Sequence, residues 1–285
     1  METLADKYLT FNDESKKLLN PNVVELLVDT FNKVYPAICD FFNGGEIRNV
    51  VFEADPNFDS PPALIIKDIK VTTTITDDDG SVIDEWEEKK IENNTVKFNP
   101  NDIICQEGTR DIDWITHELV HVAQDYQYGN GADYPHWIVE GLADYGREKF
   151  GLYNEKCGWK IYKAIWNKRT YETGYKTTAG FFIWIEKNFY ATLAKELNSI
   201  IKSGKYTDEF FVEKTGKSVG ELWQIYVDEN RAYAITWLEE HIGETLPKDI
   251  RDKLKSGELD DELDKYLLEK TGRVIDDILE IYIIG

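Results

Sequence analysis

Between Pro21 and Phe42 the apolar residues Val23, Val24, Leu27, Val28, Phe31, Val34, Ile38 and Phe41 recur at helical spacing. The pair Asn20-Pro21 precedes them and Gly44-Gly45 follows, so the pattern predicts one amphipathic helix with its start and stop signals in place. From Ile47 to Phe98 the character changes. Val50-Val51-Phe52, Ile69 to Ile75, Val82 to Trp86 and Thr95 to Phe98 are β-rich, and Asp78-Asp79-Gly80 marks a turn between two of them. A small, mainly antiparallel sheet is expected. Beyond Asp102 helical periodicity dominates, so the fold class reads α+β: a helix, a sheet, then a helical half.

The carboxyl-terminal part contains an internal duplication. Residues 183–227 and 235–283 share Trp-Ile-Glu at 184 to 186 against Trp-Leu-Glu at 237 to 239, and Thr192-Leu193 with Lys195 against Thr245-Leu246 with Lys248. They also share Lys-Ser-Gly at 202 and 255, then Glu-Lys-Thr-Gly at 213 and 269 after a short insertion. Two copies are too few for a solenoid, so the second reads as an appended helical cap or interaction surface. The expected organisation is an amino-terminal helical segment over 1–45, a main domain over 46–230 and the duplicated extension over 231–285.

One helical stretch carries chemistry. Arg110 to Gln127 has apolar residues at Ile112, Ile115, Leu119, Val122 and Ala123 and contains His117-Glu118-Leu119-Val120-His121. Each helical residue turns by about 100°, so imidazoles four apart project from one face and form a preset pair of nitrogen ligands. Glu118 stands where it reaches a metal-bound water without binding the metal, which is the position of a general base. A catalytic zinc site wants three protein ligands and an open position. With eighteen residues between, Glu140 follows His121 in the helical run Trp137 to Tyr145, at the spacing gluzincin peptidases use for a glutamate third ligand. Asp144, one turn on, faces the same way and is placed to accept the second ring N–H of a zinc-bound histidine; Asp144 as third ligand in place of Glu140 is the variant reading. A metzincin third histidine would fall at position 127, which is Gln127.

Composition narrows the setting. The 285 residues are 42% hydrophobic and 13% aromatic, enough for a substantial core. Charge is −21, from 54 acidic against 33 basic residues, which argues against nucleic acid as a partner. No apolar run is long enough to span a membrane, and Met1 to Ser15 lacks a signal-peptide core. As written the chain reads as cytoplasmic, and as secreted only if a leader has been removed. Cys39, Cys105 and Cys157 are odd in number and widely separated, so they are expected to be reduced packing residues rather than disulfides or a cysteine zinc site.

At these residues the chain resembles the basic secretory protein family of plant and bacterial metallopeptidases. The matching pieces are HELVHVAQ at His117 to Gln124, EGLADYGR at Glu140 to Arg147, GYKTTAGFFIWIE at Gly174 to Glu186, and Gly204 to Tyr226 with TGKSVGELW. Similarity runs faintly from Ile47 and clearly from His117 to about Tyr226. The resemblance implies a zincin-type peptidase fold, a peptide or protein substrate, zinc at His117, His121 and Glu140, and a catalytic Glu118. The strong acidity departs from the family's name.

In such a site a second electrophile stabilises the oxyanion. Tyr175 is the expected one, because the register that pairs Trp184 with Trp237 puts Asp228 opposite Tyr175, and a residue dropped by the copy was not needed for packing. Tyr171 and His136 are the alternatives. Trp159, Tyr162, Trp166 and Tyr171 read either as a subsite wall or, at near-helical spacing, as core. The strand at Thr95 to Phe98 is a candidate sheet edge for an extended peptide. The expected function is therefore a zinc-dependent peptidase, with an aminopeptidase of similar chemistry or a non-catalytic zinc-containing binding module as the rival readings.

Overall fold

The computed structural model describes residues 2–76, 82–101, 111–126, 134–161, 164, 170–258 and 261–273, with the side chains of 64–93 and 261 outside that description. The chain divides into two compact units, Met1–Ala123 and Gln124–Gly285. Helix and sheet are both present, and most of the ordered elements are helical. Among the described residues no helix is long and apolar enough to cross a membrane.

The first unit opens with α1 (Leu4–Tyr8), β1 (Leu9–Phe11) and α2 (Asp13–Leu18), followed by the predicted long helix α3 (Pro21–Asn43). Asn20 accepts the Asn22 N–H at its start, and Gly44 closes it at φ 62°, the left-handed backbone that a Cβ would disfavour. Its apolar stripe, including Val23, Leu27, Phe31, Val34 and Ile38, is buried. Then come β2 (Val50–Ala54), β3 (Ala63–Thr76), β4 (Val82–Phe98) and α4 (Trp114–Gln124).

The expectation of a mainly antiparallel sheet is corrected. The strand order is β1-β2-β4-β3, and of its three pairings β1–β2 and β2–β4 are parallel while β3–β4 is antiparallel. A parallel pair needs a crossover, and α2 with α3 supplies one between β1 and β2. The hairpin β3–β4 folds back so that β4 lies between β3 and β2, running parallel to the latter. The predicted strands at 82–86 and 95–98 are thus parts of one 17-residue strand. The proposed turn Asp78-Asp79-Gly80 lies outside the described residues.

A second correction follows from the same topology. Thr95 to Phe98 belongs to β4, which pairs with β2 on one side (Val51 opposite Thr95, Ala54 opposite Phe98) and with β3 on the other (Ile65 opposite Thr95). Its hydrogen-bonding groups face neighbouring strands, so it is interior and no edge for a peptide.

Val50, Phe52, Ala54, Val96 and Phe98 are buried at alternate positions of β2 and β4. Phe52 meets the edges of Phe11, Phe31 and Phe98 at 5.5, 6.3 and 6.5 Å between ring centroids. Phe98 in turn packs at 4.8 Å on Trp114, the first residue of α4, so the sheet core seats the start of that helix. Cys39, buried on α3, is a free thiol pushed up to about 11 by burial, as a packing residue should be; Cys157 is in no disulfide, and Cys105 lies outside the described residues.

The second unit is helical: α5 (His136–Phe150), α6 (Tyr175–Asn188), α7 (Leu193–Lys202), α8 (Glu209–Thr215), α9 (Val219–Ile242), α10 (Lys248–Ser256) and α11 (Asp261–Thr271). The two sequence copies make the same local bonds. Thr215 donates to the Phe211 carbonyl at 2.7 Å, and Thr271 to the Leu267 carbonyl at 2.7 Å. Asn188 contacts the Trp184 carbonyl at 2.8 Å, as His241 does the Trp237 carbonyl at 2.9 Å. The carboxyl-terminal half of α9 therefore stands where α6 stands in the first copy. It shares a buried cluster with α10 and α11 that includes Leu238, Leu246, Leu254, Leu263 and Leu267.

Candidate metal centre

The predicted helix at 110–127 is observed as α4, Trp114–Gln124, and Gln127 lies outside the described residues. His117 and His121 sit one turn apart, with ring planes at 80° and centroids 4.8 Å apart, so their Nε2 atoms approach to 3.1 Å. Glu140, on α5, completes a group in which one ligand atom from each residue lies within 4.8 Å of the others. Two imidazole nitrogens at about 2.0–2.1 Å from a tetrahedral zinc would stand roughly 3.3 Å apart. The observed separation and the two-nitrogen, one-carboxylate donor set fit such an ion. Glu118 is buried, at 5% exposure, in the same helix.

Several contacts position α5. Gln124, the last residue of α4, donates through its side-chain amide to the Val139 carbonyl at 3.3 Å, one residue before Glu140. On the other side α5 lies close against α6. A Cβ at Gly141 would stand 2.4 Å from Thr178 Cγ2 and 3.2 Å from the Phe182 ring, so only glycine admits this approach. Thr178 is held in place because its hydroxyl donates to the Tyr171 carbonyl at 2.5 Å. Tyr145 on α5 donates to Glu186 on α6 at 2.6 Å; burial and that carboxylate push the phenol well above its usual pKa, so it stays a donor.

The remaining candidates separate clearly. Asp144 is buried, one turn beyond Glu140. His136 is exposed at the first turn of α5, with Nε2 3.8 Å from Glu140 Oε1. Tyr175 is 48% exposed, its ring centroid 6.1 Å from that of His136. Its φ is 51°, a left-handed backbone that a bulky residue rarely holds, and it follows Gly174 at φ 78°. A Cβ at Gly174 would lie 3.7 Å from Glu140 Cβ, which sets this turn beside Glu140.

Tyr171 belongs to the aromatic core, with Trp137 at 5.0 Å and Phe181 and Trp223 beyond, and burial raises its pKa. Trp159 carries the Arg147 guanidinium at 4.3 Å and the Lys176 ammonium at 4.9 Å over its ring. Tyr162 and Trp166 lie outside the described residues. Sequence reasoning missed Gln124, Gly141, Gly174 and the Tyr145–Glu186 bond. Gly141 offered a signal, since glycine inside a helix costs up to about 1 kcal/mol relative to alanine and calls for a packing reason.

The histidine pair and the glutamate thus form a group that could hold a metal ion. Residues 47–226 match the family model BSP, described as peptidase of plants and bacteria, and the chain belongs to this family. No curated protein and no solved structure matches it. Membership implies peptide or protein substrates.

Proposed function

We propose that this protein is a zinc-dependent, zincin-like peptidase whose metal is held by His117, His121 and Glu140. The observation that carries the reading is the convergence of these three ligand atoms within 4.8 Å in a member of a peptidase family. Zinc at that position supplies a Lewis acid for the scissile carbonyl and acidifies a water. The Glu118 carboxylate takes the proton of the attacking water as its oxygen adds to the carbonyl carbon. Glu118 then gives that proton to the departing amine nitrogen as the C–N bond breaks. Asp144 accepts a ring N–H of a ligating histidine and fixes its tautomer.

Tyr175 donates its phenolic hydrogen to the developing oxyanion. Its exposure and its held backbone beside Glu140 support that role. Tyr175→Phe is expected to lower kcat by about 10²-fold with little change in KM. Equal kcat for the two proteins would remove Tyr175 from the chemistry.

The direct test is cleavage of a diverse peptide mixture, read by mass spectrometry, with and without a zinc chelator. Cuts made only by the untreated protein are expected, and restored by added zinc. Cuts that persist after verified metal removal would exclude the metal mechanism. Zinc bound without any cut would favour the binding-module reading.

A further inference from the structure

The duplication provides an internal control, because the second copy repeats the helical unit without the ligand-bearing segments. In the first copy Glu186 accepts the Ala194 N–H at 3.0 Å and so caps the start of α7. In the second, Glu239 holds the equivalent place and accepts the Leu246 N–H at 3.2 Å ahead of α10. Capping is the shared, structural part of this glutamate's work.

Elsewhere the copies diverge at two linked positions. Glu186 also accepts from the Tyr145 hydroxyl of α5 at 2.6 Å. Glu239 is instead bonded by Arg251 of α10. Arg251 occupies the position that Asn198 holds in the first copy, and Asn198 accepts from the Tyr126 hydroxyl at 2.9 Å. The second copy thus closes these two positions on each other, whereas the first turns both outward to a tyrosine. Each tyrosine stands five residues after a proposed ligand: Tyr126 after His121, and Tyr145 after Glu140.

We infer that Tyr126 with Asn198, and Tyr145 with Glu186, form a two-point clamp that sets the spacing of the metal ligands. These are positioning residues, and the inference rests on the zinc reading above. The α6–α7 pair is the rigid body to which the chain is anchored after His121 and after Glu140. Both tyrosine bonds are buried or partly buried, and one acceptor is a carboxylate, so each resists exchange with water.

The experiment compares wild type with Tyr126→Phe, Tyr145→Phe and the control Glu239→Gln, all as the full chain. Zinc affinity is measured by competition with a chromophoric chelator, the visible spectrum of the cobalt-loaded form is recorded, and the metal-free unfolding midpoint is taken. Each phenylalanine variant is expected to weaken zinc by on the order of tenfold and to change the cobalt band. Glu239→Gln is expected to lower the midpoint while leaving affinity and band unchanged. If the phenylalanine variants bind zinc as wild type does, with an unaltered cobalt spectrum and only a lower midpoint, the clamp is overturned and the bonds are merely structural. If wild type and His121→Ala take up zinc alike, the zinc reading itself fails, and the clamp with it.

Discussion

Glu118→Gln is expected to keep zinc binding and lose turnover, with kcat falling about 10²–10⁴-fold. The substitution keeps the size and shape of a side chain that is 5% exposed within α4, so packing around it is preserved. The amide cannot take a proton from water at neutral pH, whereas none of the three proposed ligands is altered. Metal content by mass spectrometry, kcat on a cleaved peptide and a thermal melt together check the claim. Unchanged turnover would reject Glu118 as the base. Lost zinc would instead make it a ligand.

Gly141→Ala carries the second largest effect, and its sign is informative. Helix propensity alone favours alanine over glycine by up to about 1 kcal/mol, so an isolated α5 would gain stability. The packing of α5 on α6 predicts the opposite, because the added Cβ meets Thr178 Cγ2 at 2.4 Å and Thr178 Cβ at 2.7 Å. Thr178 is fully buried and its hydroxyl is committed to the Tyr171 carbonyl, so it has no room to turn away. The helices must part. Overpacking of this kind costs about 1–3 kcal/mol, a drop in unfolding midpoint of roughly 3–10 °C for a domain of this size. Glu140 is the preceding residue, so zinc affinity should fall roughly tenfold with it. Calorimetry and chelator competition measure the two losses. Thr178→Ser in the same background, which deletes the clashing methyl and keeps the hydroxyl, should recover part of both; a stabilised Gly141→Ala protein would mean the helices are not held at this distance.

How much could be read in advance depended on whether a feature was local. Helix α3 was legible to within a residue because its cap, its proline, its apolar stripe and its closing glycine all lie within one stretch. His117 and His121 were legible as a pair because four residues of helix bring them to one face whatever surrounds them. The sheet was only half legible: strand-forming stretches could be found, yet nothing in their sequence said that β4 would lie between β2 and β3 or that Leu9–Phe11 would add a parallel edge. Tyr175 was preferred to Tyr171 in the sequence only through the register of the repeat, whereas their surroundings differ plainly in the structure: Tyr171 is packed among Trp137, Phe181 and Trp223, and Tyr175 is exposed beside His136.

By itself, then, the sequence determined the helical periodicity, the histidine pair with its intervening glutamate, the acidic helix that follows, and the duplication of the carboxyl-terminal unit. These are properties of neighbouring residues, governed by the turn of the helix and the identity of the side chains. The tertiary structure alone decided the strand order, the close approach at Gly141 and the pairing of Tyr145 with Glu186. Each of these joins segments distant along the chain, and the partner is selected by which packing satisfies the buried surfaces and hydrogen-bonding groups together.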